Sequence, residues 1–208
     1  MEAVTIGRPV QISRTNAEQD DLSLVNASRN GDAAAFSELV KRYDRKVLRI
    51  AIKVTQNIGD AEEAVQEAFF KAYQRLGQFR EHAKFSTWLV RIVLNESFMK
   101  LRKSQAGARF VNYEGESDSG ALPLDVTDWR PSPETLYCSS EFREILISSL
   151  QKLTPALKAV FVLRDIEEYS LAETAEILNL TSTSARTRLS RARLKIREEL
   201  SKYFKKPE

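Results

Sequence analysis

The sequence predicts an all-α protein in which two small helical domains are joined by a flexible linker. Ala, Leu, Glu, Arg and Lys, which favour helices, are abundant, and only seven of the 208 residues are Gly. Apolar residues recur at helical spacing in two long stretches, and no run of alternating β-branched residues indicates a sheet. We therefore expect a disordered tail at 1–19, a first domain at 20–103, a linker at 104–133 and a second domain at 134–205.

The first domain is expected to contain four helices, because the helical spacing is interrupted at residues 30–32, at 57–60 and around Gly77. Asp32 and Asp60 are each placed to cap the helix that follows, since a carboxylate accepts the amide protons that a helix start leaves unpaired. The apolar stripes of the last three helices predict a buried core. Its members are Phe36, Leu39, Val40, Tyr43, Val47, Ile50, Ala51, Val54, Ala61, Ala64, Val65, Ala68, Phe69, Ala72, Leu76, Phe85, Trp88, Leu89, Ile92 and Val93.

The linker lacks helical periodicity and is rich in Gly, Ser, Pro, Asp and Glu. The simplest interpretation of its acidic residues is that they keep the linker disordered. A flexible chain of about 30 residues spans a root-mean-square distance on the order of 30 Å, which is enough to place two domains at widely separated docking sites.

The second domain ends in a predicted helix-turn-helix. Thr154 and Pro155 mark one helix start, Ser170 and Glu173 form a capping box, and Asn179 suits the left-handed turn before the last helix. The two helices of the motif are expected to share a core of Leu171, Ile177, Leu180, Ala185, Leu189, Ala192 and Ile196. Such a last helix fits the major groove of DNA, with its first residues against base edges and its later arginines against phosphates.

Charge supports nucleic-acid binding by this last helix. The net charge is only +3, yet residues 182–197 carry six Lys or Arg side chains and no acid. That concentration is typical of a surface that binds a polyanion, although an exposed basic helix face is the plainer alternative.

Composition argues against an enzyme. Cys138 is the only cysteine and His82 the only histidine, so a disulfide, a zinc cluster and a Cys–His catalytic pair are not expected. No glycine-rich phosphate loop is present either. We expect no metal, no cofactor and no small-molecule substrate. Neither a signal peptide nor a run of eighteen apolar residues is found, which predicts a cytoplasmic protein without membrane insertion.

Three stretches, taken in order, resemble the extracytoplasmic-function group of sigma-70 family RNA polymerase sigma factors. They are DAEEAVQEAFFKAY (60–73), FREHAKFSTWLVRIVLN (79–95) and LTPALKAVFVLRDIEEYSLAETAEIL (153–178), the last followed by ARTRLSRAR. The resemblance extends over about residues 20–203. It implies an alternative sigma factor that binds core RNA polymerase, recognises the minus-thirty-five and minus-ten promoter elements and assists DNA melting. It also implies an anti-sigma factor as a partner, and a linker that runs toward the polymerase active-site cleft.

The resemblance assigns three groups of site residues. It assigns polymerase binding to the outer face of the third helix: Glu62, Glu63, Gln66, Glu67 and Phe70. It assigns recognition of the minus-ten element to a loop that captures an unstacked base and to the helix after that loop. The residues are Phe79, Arg80, His82, Lys84, Arg91, Asn95, Phe98 and Arg102. It assigns recognition of the minus-thirty-five element to the last helix, through Ser182, Thr183, Arg186, Thr187, Ser190, Arg191, Arg193 and Arg197.

Each assignment has a structural alternative. Acids in the first turn of a helix also favour its dipole, and Trp88 is expected to be a core residue, not a stacking platform. The sequence also departs from the family pattern. The loop usually reads Phe-Arg-Gly-acid but here contains Glu81 and His82, and Glu168 replaces a common glycine before the capping box.

Two other classes of protein compete with the sigma factor. A helix-turn-helix transcriptional regulator without a polymerase role would use residues 20–103 to sense a ligand or partner. Such a sensor should have an apolar pocket with convergent polar groups, whereas this stretch predicts tightly packed Ala-rich helices with an acidic outer face. An enzyme is the third class, and the sequence offers it no catalytic constellation.

Overall fold

A computed structural model describes the backbone of residues 12–80, 84–105 and 139–204, and every regular element in these ranges is helical. The helices are α1 Ile12–Arg29, α2 Ala33–Thr55, α3 Ile58–Gln74, α4 Phe85–Gln105, α5 Ser139–Gln151, α6 Pro155–Phe161, α7 Leu171–Leu178 and α8 Ser182–Phe204. A 3₁₀ turn at Leu76–Gln78 follows α3, and a π-helical turn at Val162–Ile166 continues α6. The predicted all-α fold is confirmed.

The helix starts show where local chemistry decides the boundaries. Asp32 caps α2 as predicted, since its Oδ1 accepts hydrogen bonds from the amides of Ala34 at 2.9 Å and Ala35 at 3.1 Å. The predicted cap at Asp60 is wrong. Asn57 caps α3 instead, because its side-chain oxygen accepts the Asp60 amide proton at 3.0 Å, and Asp60 lies in the first turn.

In the second domain, Ser170 and Glu173 form the predicted capping box, with hydrogen bonds of 3.1 and 2.9 Å. Asn179 ends α7 in the left-handed conformation, with φ of 54°. Glu168 has φ of 58°, so the turn keeps the backbone conformation that glycine adopts most easily. Pro155 is the first residue of α6, as predicted, although the hydroxyl of Thr154 makes no capping hydrogen bond.

The first domain is a bundle of α1 to α4 around a core that follows the predicted stripes. The small residues Ala61, Ala64, Ala68 and Ala72 are fully buried, which lets α3 pack closely against its neighbours. The larger predicted residues are buried as well, except for five that are half-buried against the core: Phe36, Val40, Tyr43, Trp88 and Ile92.

Two predicted boundaries change. Helix α1 begins at Ile12, so the last residues of the expected disordered tail, 12–19, are helical. Helix α4 extends to Gln105, two residues into the expected linker. The rest of the linker, 106–133, and the first five residues of the second domain lie outside the described residues.

The second domain has its own small core and also packs against the first domain. Leu150, Leu153, Leu157, Ala192, Ile196 and Leu200 form the small core between α5, α6 and α8. Ile177 was expected in the helix-turn-helix core, but it lies in the larger cluster that contains the residues of the first domain. Val162, Leu163 and Tyr169 belong to that cluster too, so one apolar core is continuous across both domains.

Candidate polymerase and DNA interfaces

The outer face of α3 presents the five residues assigned to polymerase binding. Glu62, Glu63, Gln66, Glu67 and Phe70 are all exposed. Their positions follow helical spacing because the alanines of α3 take the inner face. Phe70 is 57% exposed, which is unusual for an aromatic side chain on an otherwise polar helix face.

Phe70 lies in a shallow groove of about 550 Å³ between α3 and α4. Helix α4 contributes residues that the sequence analysis did not assign: Glu96, Met99, Lys100 and Lys103. Met99 is 45% exposed, so two apolar side chains form the centre of a charged groove. The packing of α4 against α3 brings them together, and the sequence carries no signal for it.

Two of the lysines in the groove are paired with acids of the same groove. Lys71 Nζ lies 2.7 Å from Glu96 Oε2 and 3.4 Å from Glu67 Oε1, and the hydrogen bond to Glu96 raises the pKa of Lys71. Lys100 donates a hydrogen bond to Glu63, which lowers the pKa of the Glu63 carboxyl. Because Phe70 and Met99 are exposed apolar side chains, a partner that covers the groove would remove their apolar surface from water.

Phe79, assigned to minus-ten DNA, is buried and only 3% exposed. Its ring lies 5.8 Å from that of Phe85 and 5.3 Å from that of Trp88. Arg29 donates from Nε to the Leu76 carbonyl at 3.0 Å and from Nη2 to the Phe79 carbonyl. Phe79 therefore anchors the start of the loop, and Trp88 belongs to the same aromatic cluster, as the core interpretation predicted.

The remaining minus-ten residues lie along the loop and one face of α4. Arg80 and Lys84 are exposed at the two ends of the loop, and His82 lies outside the described residues. On α4, Asn95 and Arg102 are exposed, while Phe98 is half-buried against the core. Arg91 is half-buried because its Nη2 donates to the Glu176 carbonyl oxygen of α7 at 2.5 Å.

A second groove, of about 760 Å³, lies beside the start of this loop. Its lining comes from the ends of α1 and α3 and from the 3₁₀ turn and loop that follow α3, and includes Arg29, Tyr73, Gly77 and Phe79. This groove is open to solvent and lies next to the loop that is expected to hold an unstacked base.

Helix α8 has the phase that the sequence predicts. Ala185, Leu189, Ala192 and Ile196 are buried. The eight residues assigned to minus-thirty-five DNA are exposed or half-buried: Ser182, Thr183, Arg186, Thr187, Ser190, Arg191, Arg193 and Arg197. At the start of the helix, the Thr181 hydroxyl accepts the Ser184 amide proton at 3.1 Å.

Arg193 has a partner that the sequence analysis did not identify. Its Nε and Nη2 donate to the two carboxylate oxygens of Asp165 at 2.8 and 2.7 Å. This paired geometry fixes the guanidinium against the π-helical turn, so a phosphate would have to compete with a carboxylate for Arg193. Arg186 is exposed near the start of α8, where a helix reaches base edges.

Two features are absent from the described residues: a metal-binding cluster and a membrane-spanning helix. Within the ranges described above, no three His, Cys, Asp or Glu side chains cluster as a metal site would require. None of the helices in this part of the chain combines the length and apolar character that crossing a bilayer demands.

Comparison with known proteins identifies both domains. Residues 39–107 match the family model of Sigma-70 region 2, and residues 143–196 match that of Sigma-70, region 4. The chain is 32% identical over 176 residues to ECF RNA polymerase sigma factor SigW of Bacillus subtilis, a match that covers 83% of this chain and 92% of the relative. It is 33% identical over 178 residues to ECF RNA polymerase sigma-E factor of Escherichia coli, covering 83% and 90%.

Two solved structures share the fold. CnrH, in complex with the cytosolic domain of CnrY, has a TM-score of 0.62 and 24% identity, covering 88% of this chain and 97% of CnrH. The sigma factor RpoE from Bartonella quintana, in complex with the anti-sigma factor NepR, has a TM-score of 0.58 and 20% identity, covering 80% of this chain and 96% of RpoE.

Proposed function

The chain belongs to the extracytoplasmic-function group of the sigma-70 family and is an alternative sigma factor that directs transcription, and on that premise we propose which surfaces perform each step. Family membership excludes the regulator without a polymerase role. Members of this family are not enzymes, and we extend this to an absence of catalytic activity, cofactor and small-molecule substrate in this chain. The cytoplasm, where transcription takes place, is its proposed compartment.

The observation that carries the proposal is the division of surfaces between the two matched regions. The region 2 match contains the groove with Phe70 and Met99, and the region 4 match contains a basic helix with Arg186 exposed near its start. An exposed apolar centre among charged residues is suited to a protein partner, whereas a helix with six basic side chains and no acid over residues 182–197 is suited to duplex DNA.

Core RNA polymerase is the partner proposed for the first surface. Glu62, Glu63, Gln66, Glu67 and Phe70 of α3 would dock on the polymerase clamp, with Met99 of α4 completing the apolar centre. In this arrangement Phe70 is the anchor, and the surrounding polar residues contribute complementarity.

The minus-ten element is proposed for the 79–84 loop and α4, with one change of role. Because Phe79 is buried in the aromatic cluster, it holds the loop in place, and the exposed part of the loop, residues 80–84, contacts the base. Asn95 and Arg102, exposed on α4, would follow the opened strand.

The minus-thirty-five element is proposed for α8. Arg186 would contact a base edge, and Arg197, further along the helix, would contact phosphate. Since the relatives of known structure were solved with an anti-sigma factor or with the cytosolic domain of CnrY, an anti-sigma factor is a proposed third partner of this chain.

Reconstitution with core RNA polymerase tests the proposal. The full chain and core polymerase are incubated with fragmented genomic DNA of the source organism, and the transcripts are sequenced from their 5′ ends. We expect start sites that depend on the added chain and share two motifs upstream. Transcripts identical to those of core polymerase alone would refute it.

Charge reversal then tests the polymerase surface in a binding titration with core polymerase. Glu63→Lys should weaken binding to core polymerase, because it reverses a charge at the Phe70 groove and removes the carboxylate that pairs with Lys100. Glu38→Lys is the matched control, since Glu38 is an exposed acid on α2 that pairs with Lys41 at 3.9 Å outside the groove. Equal effects of the two reversals would contradict the docking surface.

A further inference from the structure

Arg193 lies on the face of α8 that is proposed to contact DNA. Arg186, Ser190, Arg193 and Arg197 follow one another at spacings of four, three and four residues, so all four lie on one side of the helix. Arg193 is one of the six basic residues at 182–197, and it lies about 10.5 Å beyond Arg186 along the helix axis. This position alone would predict a phosphate contact.

An acid of the same domain holds the side chain of Arg193 instead. Nε and Nη2 of Arg193 donate to Oδ2 and Oδ1 of Asp165 at 2.8 and 2.7 Å. Asp165 belongs to the π-helical turn that continues α6, and α6 packs directly against α8. Residue Asp165 as a whole is exposed, but its side chain, which meets the guanidinium, is only 20% exposed, whereas that of Arg193 is 43% exposed.

The fold keeps this carboxylate in place before DNA arrives. Val162 and Leu163 of the same turn are fully buried, and so is Ala192, the neighbour of Arg193 on α8. The backbone on both sides of the ion pair is therefore anchored in the core. A phosphate that approaches Arg193 would have to displace a paired, charge-assisted interaction whose acceptor is already in position.

This competition affects one component of DNA binding only. A phosphate contact adds affinity for every sequence and carries no sequence information. Because the charge of Arg193 is balanced by Asp165, α8 makes one such contact fewer than its basic residues would allow. Arg186, near the start of the helix, is exposed and keeps its access to a base edge.

We propose that Asp165 is a positioning residue that holds Arg193 away from the DNA phosphates and thereby limits the sequence-independent affinity of α8. Asp165 acts through Arg193 and does not itself contact DNA. The inference rests on the binding of minus-thirty-five DNA by α8 that is proposed above. A purely structural role, in which the pair only ties the turn to α8, would leave the salt dependence of DNA binding unchanged.

The salt dependence of DNA binding by the full chain tests the proposal. Two labelled duplexes, one of arbitrary mixed sequence and one with the upstream motif obtained by reconstitution, are titrated between about 50 and 200 mM KCl. Asp165→Asn should steepen the slope of log affinity against log salt by about 0.9 on both duplexes, because Arg193 then contacts a phosphate. The affinity ratio of this variant to the wild type should therefore be about 3.5 times larger at the lowest salt concentration than at the highest.

Two further variants separate the ion pair from a general effect of charge. Glu168→Gln is the matched control, because Glu168 is an exposed acid near Asp165 and its neutralisation changes the net charge equally; its slope should remain that of the wild type. The double variant Asp165→Asn with Arg193→Ala should also keep the wild-type slope, since it has the net charge of the wild type and lacks the guanidinium. Thermal unfolding of each variant is the check on folding, and a loss of stability would weaken binding without steepening the slope.

Three results would overturn the proposal: a wild-type slope in Asp165→Asn, an equal steepening in Glu168→Gln, or a double variant whose slope is flatter than that of the wild type by about 0.9, which would mean that Arg193 already contacts phosphate. Arg197→Ala keeps failure here apart from failure of the proposed function. A flatter slope in Arg197→Ala beside an unchanged slope in Asp165→Asn would remove this inference alone. A wild type that binds neither duplex would remove the function proposed for α8, and this inference with it.

Discussion

Removing the aromatic ring of Phe70 should weaken the docking of this sigma factor on core polymerase far more than it destabilises the fold. Complete burial of a Phe side chain contributes about 1.5–3 kcal/mol. Since Phe70 is 57% exposed, about 0.9–1.7 kcal/mol of that contribution is still available when a partner covers it. Phe70→Ala should therefore raise the dissociation constant about 5- to 20-fold.

Ile58→Ala is the matched control for this prediction. Ile58 is the first residue of the same helix and is 63% exposed, but it does not line the groove. It lies 12 residues from Phe70, about 18 Å along the helix axis. A similar loss of apolar surface at this end of α3 should leave polymerase binding unchanged.

The assay is fluorescence titration of labelled chain with core polymerase, together with thermal unfolding of each variant. Both variants should unfold within a few degrees of the wild type, because each removes a largely exposed side chain. Wild-type affinity in Phe70→Ala, or an equal loss in Ile58→Ala, would refute the assignment of the groove.

Four further outcomes are expected. Replacing residues 80–84 by Gly and Ser should leave the closed promoter complex but abolish the permanganate reactivity of unpaired thymines, and normal reactivity would exclude this loop from melting. Arg186→Ala should cost about 1–3 kcal/mol of binding free energy for minus-thirty-five DNA and relax discrimination at one base pair, whereas Arg197→Ala should weaken binding to all duplexes alike. Titrations on single-base variants of the site at several salt concentrations distinguish the two roles. Burial raises the pKa of Glu167, but hydrogen bonds from Arg49 and Lys53 outweigh it and hold the pKa below its ordinary value, so the carboxylate stabilises the fold at neutral pH and this contribution is lost as the pH falls through the lowered pKa. Urea unfolding should accordingly show the wild type and Glu167→Gln converging at acid pH, and a constant difference would contradict this. Glu168→Gly should raise the free energy of unfolding by up to about 1 kcal/mol, because glycine adopts the left-handed conformation at no steric cost. An unchanged or lower free energy of unfolding would contradict this, and would mean that the added freedom of the unfolded chain outweighs the relieved strain.

The helices and their inner faces were predictable because each face repeats a local pattern. Ala185, Leu189, Ala192 and Ile196 are spaced by four, three and four residues, and this spacing alone fixes which side of α8 is buried. The capping box at Ser170 was predictable for the same reason, since both of its members lie within one turn.

The sequence analysis missed features that depend on a choice between neighbouring capping residues or on packing between residues far apart in the chain. Residues 57–60 contain two side chains able to cap α3, and backbone geometry selects Asn57 over Asp60. Phe79 resembles a loop residue that contacts DNA, but its burial depends on Phe85 and Trp88 in the next helix. The pairing of Glu167 with α2 has no local signature, because Glu167 lies in a turn between helices and its partners are remote in sequence.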